Sequence, residues 1–207
     1  MKITNLPSGA LQVNTYLAVD EETNKGFIVD PGGYNPVLTK KVKEENIDIE
    51  YIILTHGHSD HICGANEHKA DFEGCKIVAC AEEEEMLHDI RWNCSADFGM
   101  PYTVDADIYV NDGDELQVGS VELKFFHTPG HTPGGMCIYA EKEHVLFSGD
   151  TLFRQSIGRT DFKGGSFTQI KDSIHSKLFV LPDETYVLPG HMGPTEISFE
   201  KRNNPFV

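Results

Sequence analysis

The chain has 207 residues, a length that suits one domain or two closely packed halves. Hydrophobic residues make up 39% of the sequence, which is enough for a core, and the formal net charge is −16. Such a charge repels nucleic acid and anionic membrane surfaces, so we expect neither as a partner.

The N-terminal segment and the cysteines bear on location. MKITNLPSGALQVNTYLAVD lacks a basic stretch followed by an apolar core, so we do not expect a signal peptide. No apolar run reaches the length of a membrane span. The five cysteines form no C-x-x-C pair and are expected to be reduced thiols. We predict a soluble, cytoplasmic protein.

Two kinds of pattern alternate along the chain. Short runs rich in β-branched and aromatic residues predict strands over 13–19, 27–30, 51–54, 76–79, 121–126, 136–140, 144–148 and 185–188. The intervening patterns predict helices over 35–46, 60–70, 81–89 and 166–179. This alternation predicts a mixed α/β (α+β) fold, which the hairpin-like segment 112–123 divides roughly in half.

The run EEEE at 82–85 opens one of the predicted helices. Carboxylates in a first helical turn complement the positive end of the helix dipole. We therefore predict that this run forms a solvated helix face rather than a cation site.

The same short pattern recurs at the ends of several predicted strands. An apolar run leads through one or two turn residues to His56, to His131, to Asp150 and to His191, and Asp30 ends a further strand. The carboxyl ends of strands share one edge of a packed sheet, so side chains that follow them can converge. The pattern therefore predicts a polar site at a sheet edge.

The motif THGHSDH indicates a metal site. In an extended H-x-H segment, His56 and His58 point the same way because side chains alternate, so both can bind one ion. Asp60 and His61 are predicted to start a helix beside that pair and to face a second position. Imidazole and carboxylate donors suit zinc, and also iron or manganese.

The complete donor set is too large for one tetrahedral ion. It consists of seven residues: His56, His58, Asp60, His61, His131, Asp150 and His191. Two ions that share one carboxylate would use all of them. Polar loop residues without a metal role would not explain three further donors at strand ends. His127 is predicted to end its strand or to pack behind the metal ligands, and the remaining histidines are predicted to be structural or exposed.

Four motifs, THGHSDH, HTPGHTPGG, SGDTLF and LPGH, occur in this order and resemble those of metallo-β-lactamase-fold hydrolases. Within that family the chain resembles the compact bacterial glyoxalase II-like (hydroxyacylglutathione hydrolase-like) group. The resemblance implies a four-layer αβ/βα sandwich of two mixed sheets flanked by helices. It also implies one domain over 1–207, with two similar halves that meet near 110–120. The helical C-terminal domain with which longer glyoxalase II enzymes grip glutathione is not expected.

The resemblance also implies a role for each donor. His56, His58 and His131 would bind the first metal, while Asp60, His61 and His191 would bind the second. Asp150 would bridge the two. Asp30 would orient a ligand. Arg159, in GRTDFKGG (158–165), would pair with a substrate carboxylate, although a surface arginine that stabilises its loop is an equal alternative.

The implied activity is hydrolysis of an acyl thioester such as S-lactoylglutathione. Two zinc ions would lower the pKa of a bridging water and polarise the carbonyl, with Asp60 and His191 as catalytic residues. We expect a monomer or a homodimer. One alternative is a mono-iron persulfide dioxygenase with ligands at His56, His131 and Asp150. Others are an ester or amide hydrolase of the same fold and a non-catalytic metal-binding protein.

Overall fold

The computed structural model describes the whole chain, residues 1–207, and its first half forms a mixed six-stranded sheet. The strands of this sheet are β1 (Lys2–Asn5), β2 (Tyr16–Val19), β3 (Lys25–Val29), β4 (Asp48–Ile53), β5 (Lys76–Cys80) and β6 (Ile108–Val110). They lie side by side in chain order. β1 to β3 pair antiparallel, whereas β3 to β6 pair parallel.

The second half forms another mixed six-stranded sheet and a small hairpin. Its strands are β7 (Glu115–Val118), β8 (Val121–His127), β9 (Met136–Ala140), β10 (Val145–Gly149), β11 (Leu152–Phe153), β12 (Ser156–Ile157), β13 (Tyr186–Pro189) and β14 (Thr195–Glu196). The spatial order in the sheet is β14-β13-β10-β9-β8-β7, and β11 pairs with β12. Only β10 and β13 pair parallel; the other neighbours are antiparallel.

Six α-helices connect or flank the strands: α1 (Pro36–Glu44), α2 (Ser59–Ile62), α3 (Ala65–Asp71), α4 (Glu84–His88), α5 (Phe167–Ser173) and α6 (Ile197–Asn203). A 3₁₀ turn precedes α4 and a π-helical turn follows α5. Local sequence explains α1, because Asn35 caps the amide groups of Val37 and Leu38 and proline occupies the first turn. None of the helices has the length and apolar character that a membrane span requires.

The core lies in three layers between these elements. One cluster fills the space between the two sheets, a second lies between the first sheet and its helices, and a third lies beneath α5 and α6. Strand alternation produces this division. In β3, Phe27 and Val29 point into the inter-sheet cluster, whereas Ile28 points toward the helices. The predicted αβ/βα class with two mixed sheets flanked by helices is confirmed.

The predicted helix over 60–70 is interrupted at Cys63 and Gly64, between α2 and α3. The break has a packing cause. A Cβ atom at Gly64 would lie 2.5 Å from the carbonyl carbon of Gly33, and the Gly64 amide donates to Pro31 O at 2.8 Å. The short helix α2 therefore carries Asp60 and His61 on its own, close to the strand that precedes it.

Candidate metal centre

The seven predicted donors follow the carboxyl ends of four strands. His56, His58, Asp60 and His61 follow β4, the last two on α2. The other three, His131, Asp150 and His191, follow β8, β10 and β13. The donors therefore come from both sheets and meet at one edge of the sandwich.

Three imidazoles form the first group of donors. Ligand atoms of His56, His58 and His131 all lie within 4.8 Å of one another, and all three residues are buried. His58 Nδ1 lies 3.0 Å from His131 Nε2. Three nitrogen donors at this spacing can hold one divalent cation and leave a further coordination position open.

A second group contains Asp60, His61 and His191, whose ligand atoms also lie within 4.8 Å of one another. His191 Nε2 lies 3.1 Å from Asp60 Oδ2. The backbone approaches closely here, because a Cβ atom at Gly190 would lie 2.5 Å from both Asp150 Oδ1 and His61 Cε1. Only glycine fits before His191.

Asp150 lies between the two groups. Its Oδ1 is 3.4 Å from His61 Nε2, and its Oδ2 is 3.6 Å from His131 Nε2. The same Oδ2 is 3.8 Å from His191 Nε2. One carboxylate thus faces both groups at once, with Oδ1 toward the second group and Oδ2 toward both.

Hydrogen bonds to Nδ1 orient several of the imidazoles. His61 Nδ1 donates to Asp30 Oδ2 at 2.9 Å, and His131 Nδ1 donates to Arg159 O at 2.7 Å. Thr55 Oγ1 donates to Asp30 Oδ2 at 2.6 Å and accepts from His56 Nδ1 at 3.1 Å. With Nδ1 as the donor, the Nε2 lone pair of each ring is left for a metal.

Electrostatics at the site favour a cation. Burial lowers the pKa of His58 to about 3, with His131 adding to the effect, so this ring is neutral. Burial alone would also lower the pKa of His61, but Asp150, Asp60 and Asp30 outweigh it and raise that pKa to about 10. The carboxylates thus attract a proton that a divalent cation would displace, because metal binding needs the neutral imidazole.

The donor atoms also pass a simple test of fit. His56 Nε2, His61 Nε2 and Asp150 Oδ1 are buried and have no hydrogen-bond partner. Such orphaned polar atoms are rare in folded proteins because their desolvation costs free energy. These three converge within 4.8 Å. Divalent metal ions would satisfy them all.

The family model described as the metallo-beta-lactamase superfamily matches residues 8–191. The chain belongs to the metallo-β-lactamase superfamily. The resemblance predicted from the four motifs is therefore confirmed.

Individual members of the superfamily are similar over the full chain. The sequence is 36% identical to hydroxyacylglutathione hydrolase GloC of Haemophilus influenzae over 211 residues, which cover all of this chain and 98% of that protein. The crystal structure of BLEG-1 B3 metallo-β-lactamase has a TM-score of 0.93 and 38% identity, with 99% of each chain covered. TTHA1623 in a di-iron-bound form has a TM-score of 0.86 and 27% identity, with 99% of this chain and 100% of that chain covered.

One buried residue that shapes the site was not predicted from the sequence. Glu83, within the EEEE run, is only 1% exposed, so the predicted solvated face is wrong at this position. Its carboxylate accepts from Gly57 N at 2.8 Å and from Gly134 N at 2.7 Å. Glu83 thus joins the loop that carries His56 and His58 to the loop that follows His131. No role was predicted for Thr55 either, although it is the first residue of the motif THGHSDH.

A cleft of about 470 Å³ opens over the two donor groups. His58, Asp60, His131, Asp150 and His191 line it, together with Arg159 and a set of apolar side chains. This volume suits a small-molecule ligand. His127, in contrast, lies apart from the two donor groups, with Nε2 donating to Pro133 O at 2.7 Å.

Arg159 lies at the cleft, but its guanidinium is already engaged. Nε and a terminal NH₂ each donate to Asp161 at 2.7 Å, and the guanidinium carbon lies 4.1 Å from the centre of the Phe162 ring. A role for Arg159 in binding a substrate carboxylate remains a prediction, and any such substrate would have to compete with Asp161.

Replacing Asp30 by asparagine should weaken metal binding and cost some stability, because the amide NH₂ must face a donor, either Thr55 N–H or the pair Thr55 Oγ1–H and His61 Nδ1–H. Asp30 has a φ of 50°, a conformation that asparagine tolerates. The amide is a weaker acceptor for His61 Nδ1–H, so we expect metal affinity to fall roughly 10- to 100-fold. Competition with a chromophoric chelator measures this affinity. Asp105→Asn, at a side chain 98% exposed, is the control and should bind like the parent; equal affinity for both variants would refute the role of Asp30.

Proposed function

We propose that this metallo-β-lactamase superfamily member is a dinuclear metal-dependent hydrolase that cleaves S-lactoylglutathione or a related acyl thioester. The first ion would be held by His56, His58 and His131, and the second by Asp60, His61 and His191, with Asp150 shared. The observation that carries the proposal is the position of Asp150, whose two oxygens face both groups. We propose zinc as the metal, with iron or manganese as substitutes.

When bound, the two cations would supply a water of lowered pKa and polarise the substrate carbonyl. Side chains of the protein orient the metal ligands and assist proton transfer. Asp60, which lines the cleft beside His191, would accept a proton from the attacking water. Asp30 fixes the ring of His61 by accepting from Nδ1.

Thioester hydrolysis is supported by the similarity to a hydroxyacylglutathione hydrolase that spans the whole chain. A second candidate, hydrolysis of a β-lactam amide, is favoured by the 38% identity to a B3 metallo-β-lactamase. The mono-iron dioxygenase would use only three of the seven donors, so it leaves the second group without a role. We retain a cytoplasmic location and a monomeric or homodimeric state as predictions.

Counting metals and measuring turnover on one preparation separates these candidates. We expect about two zinc ions per chain and loss of the S-lactoylglutathione thioester absorbance. Extended treatment with a chelator should abolish this loss, and zinc should restore it. One iron per chain with oxygen uptake on glutathione persulfide would instead support the dioxygenase. Faster cleavage of a chromogenic cephalosporin than of any thioester would support the β-lactamase.

A further inference from the structure

Large apolar side chains gather at the mouth of the metal cleft. Four of the eleven exposed large hydrophobic residues lie there: Leu11, Phe98, Met100 and Met192, each about half exposed at 50, 49, 55 and 58%. We call these four residues the apolar rim. They come from three separate segments, so the cluster does not arise from one apolar stretch of sequence. Contiguous exposed apolar surface of this kind marks a binding site.

The rim is continuous with the proposed reaction site. Leu11, Phe98 and Met192 line the same cleft as Asp150 and His191. Met100 extends the surface with Leu11 and Phe98 in an adjoining depression. A molecule that places its reacting bond at the metal donors would therefore lay its next few atoms on apolar surface.

Met192 has an unusual backbone conformation for its residue type. Its φ is 68°, in the left-handed region that glycine and asparagine tolerate best. Asn14 Nδ2 holds this turn by donating to Met192 O at 2.9 Å. A large apolar side chain is thus retained directly after the donor His191, although a smaller residue would fit the backbone better. Strain of this kind points to a use for the side chain.

The cleft offers little to an anionic ligand. Arg159 is the only lysine or arginine among its lining residues, and Asp161 already occupies its guanidinium with two hydrogen bonds of 2.7 Å. Glutathione carries two carboxylates, and Arg159, which is paired with Asp161, is the only lysine or arginine in this lining that could meet one of them.

We infer that the apolar rim is a binding site for an apolar chain of the thioester substrate. This inference rests on the proposed hydrolase function and specifies its substrate class. The preferred substrates carry an aliphatic or aromatic group of several carbons on the acyl side of the bond, and they need no anionic group for recognition. S-lactoylglutathione, which has a small polar acyl group, is then cleaved more slowly than thioesters with a longer apolar acyl group.

Two series of thioesters test the inference with the zinc-loaded protein. Acetyl and hexanoyl esters of N-acetylcysteamine vary the acyl side, and the same acyl groups on glutathione vary the thiol side. Each fully buried methylene is worth roughly a fourfold gain in affinity. We therefore expect kcat/KM to rise at least about tenfold from acetyl to hexanoyl, with no preference for glutathione. Equal rates for the two acyl groups, or a tenfold preference for glutathione, would overturn the inference.

Substitutions in the rim link this selectivity to particular residues. Phe98→Ser and Met192→Asn should reduce the hexanoyl-to-acetyl ratio below about three, with unchanged zinc content. Asparagine suits the backbone at 192, so that variant should melt no lower than the parent. Phe167→Ser is the matched control, since Phe167 is 50% exposed and does not line the cleft. An unchanged ratio in both rim variants contradicts the inference.

Binding measured without turnover distinguishes failure of the inference about the apolar rim from failure of the hydrolase proposal. Calorimetry with S-hexyl and S-ethyl thioethers of N-acetylcysteamine should show at least about tenfold tighter binding of the hexyl compound, and Phe98→Ser should remove that difference. If this holds but no thioester is cleaved, the hydrolase proposal fails and the rim stands. If thioesters are cleaved but the two thioethers bind equally, the hydrolase proposal stands and the inference about the apolar rim fails.

Discussion

We expect the His58→Ala variant to lose thioester hydrolysis while it keeps its fold. His58 is 5% exposed, and its Nδ1 lies 3.0 Å from His131 Nε2 in the first donor group. Loss of a ligand should cost more than the roughly 100-fold that follows loss of a residue hydrogen-bonded to one. The fold should persist because His58 belongs to none of the three apolar clusters. kcat/KM and zinc content of the same preparation measure the effect.

The control for this variant is His175→Ala. His175 is an exposed histidine on the π-helical turn after α5, and it belongs to neither donor group. It should retain parental activity and zinc content. Circular dichroism should show that both variants are folded. Near-parental turnover by His58→Ala with a full complement of zinc would refute its assignment as a ligand.

Glu83→Ala should produce the largest loss of stability among single substitutions around the site. Its carboxylate satisfies the buried amides Gly57 N–H and Gly134 N–H, at 2.8 and 2.7 Å. Alanine leaves both donors unpaired, and each unpaired buried group costs about 1–3 kcal/mol. We expect a loss of about 3 kcal/mol in the free energy of unfolding. The cost of the two unpaired donors is partly offset, because the variant no longer has to desolvate a carboxylate. Urea denaturation with chelator present measures it without a contribution from metal.

Two further variants test this explanation. Glu84→Ala changes the neighbouring carboxylate, which is exposed, and should stay within about 0.5 kcal/mol of the parent. Glu83→Gln keeps one acceptor oxygen but directs an amide donor at the other backbone N–H, so it should not restore full stability. If Glu83→Ala and Glu84→Ala unfold at the same urea concentration, Glu83 does not hold the two loops.

The sequence predicted the central strands and the strand-end site because both depend on local patterns. The apolar runs at 51–54 and 76–79 are long enough to identify β4 and β5, and the donor motifs follow strand ends directly. The strands β1, β6, β11, β12 and β14 and the helix α6 were missed. The missed strands are sheet-edge strands or members of the small hairpin, each of two to four residues, and their formation depends on a neighbouring strand more than on their own pattern.

Contacts distant in sequence account for the errors near the site. In the EEEE run nothing local distinguishes Glu83 from its neighbours, and its burial follows from the approach of Gly57 and Gly134. The break in the predicted helix 60–70 likewise follows from the approach of Pro31 and Gly33 to Gly64. The ligand roles of the seven donors stay predictions until metal is counted.

The donors come from both sheets, so they are synthesised at different times. As the chain leaves the ribosome, the segment after β4 appears first, with His56, His58, Asp60 and His61 but without Asp150. A nascent first half therefore carries only four of the seven donors, and the two predicted metal sites are complete only after the second sheet docks.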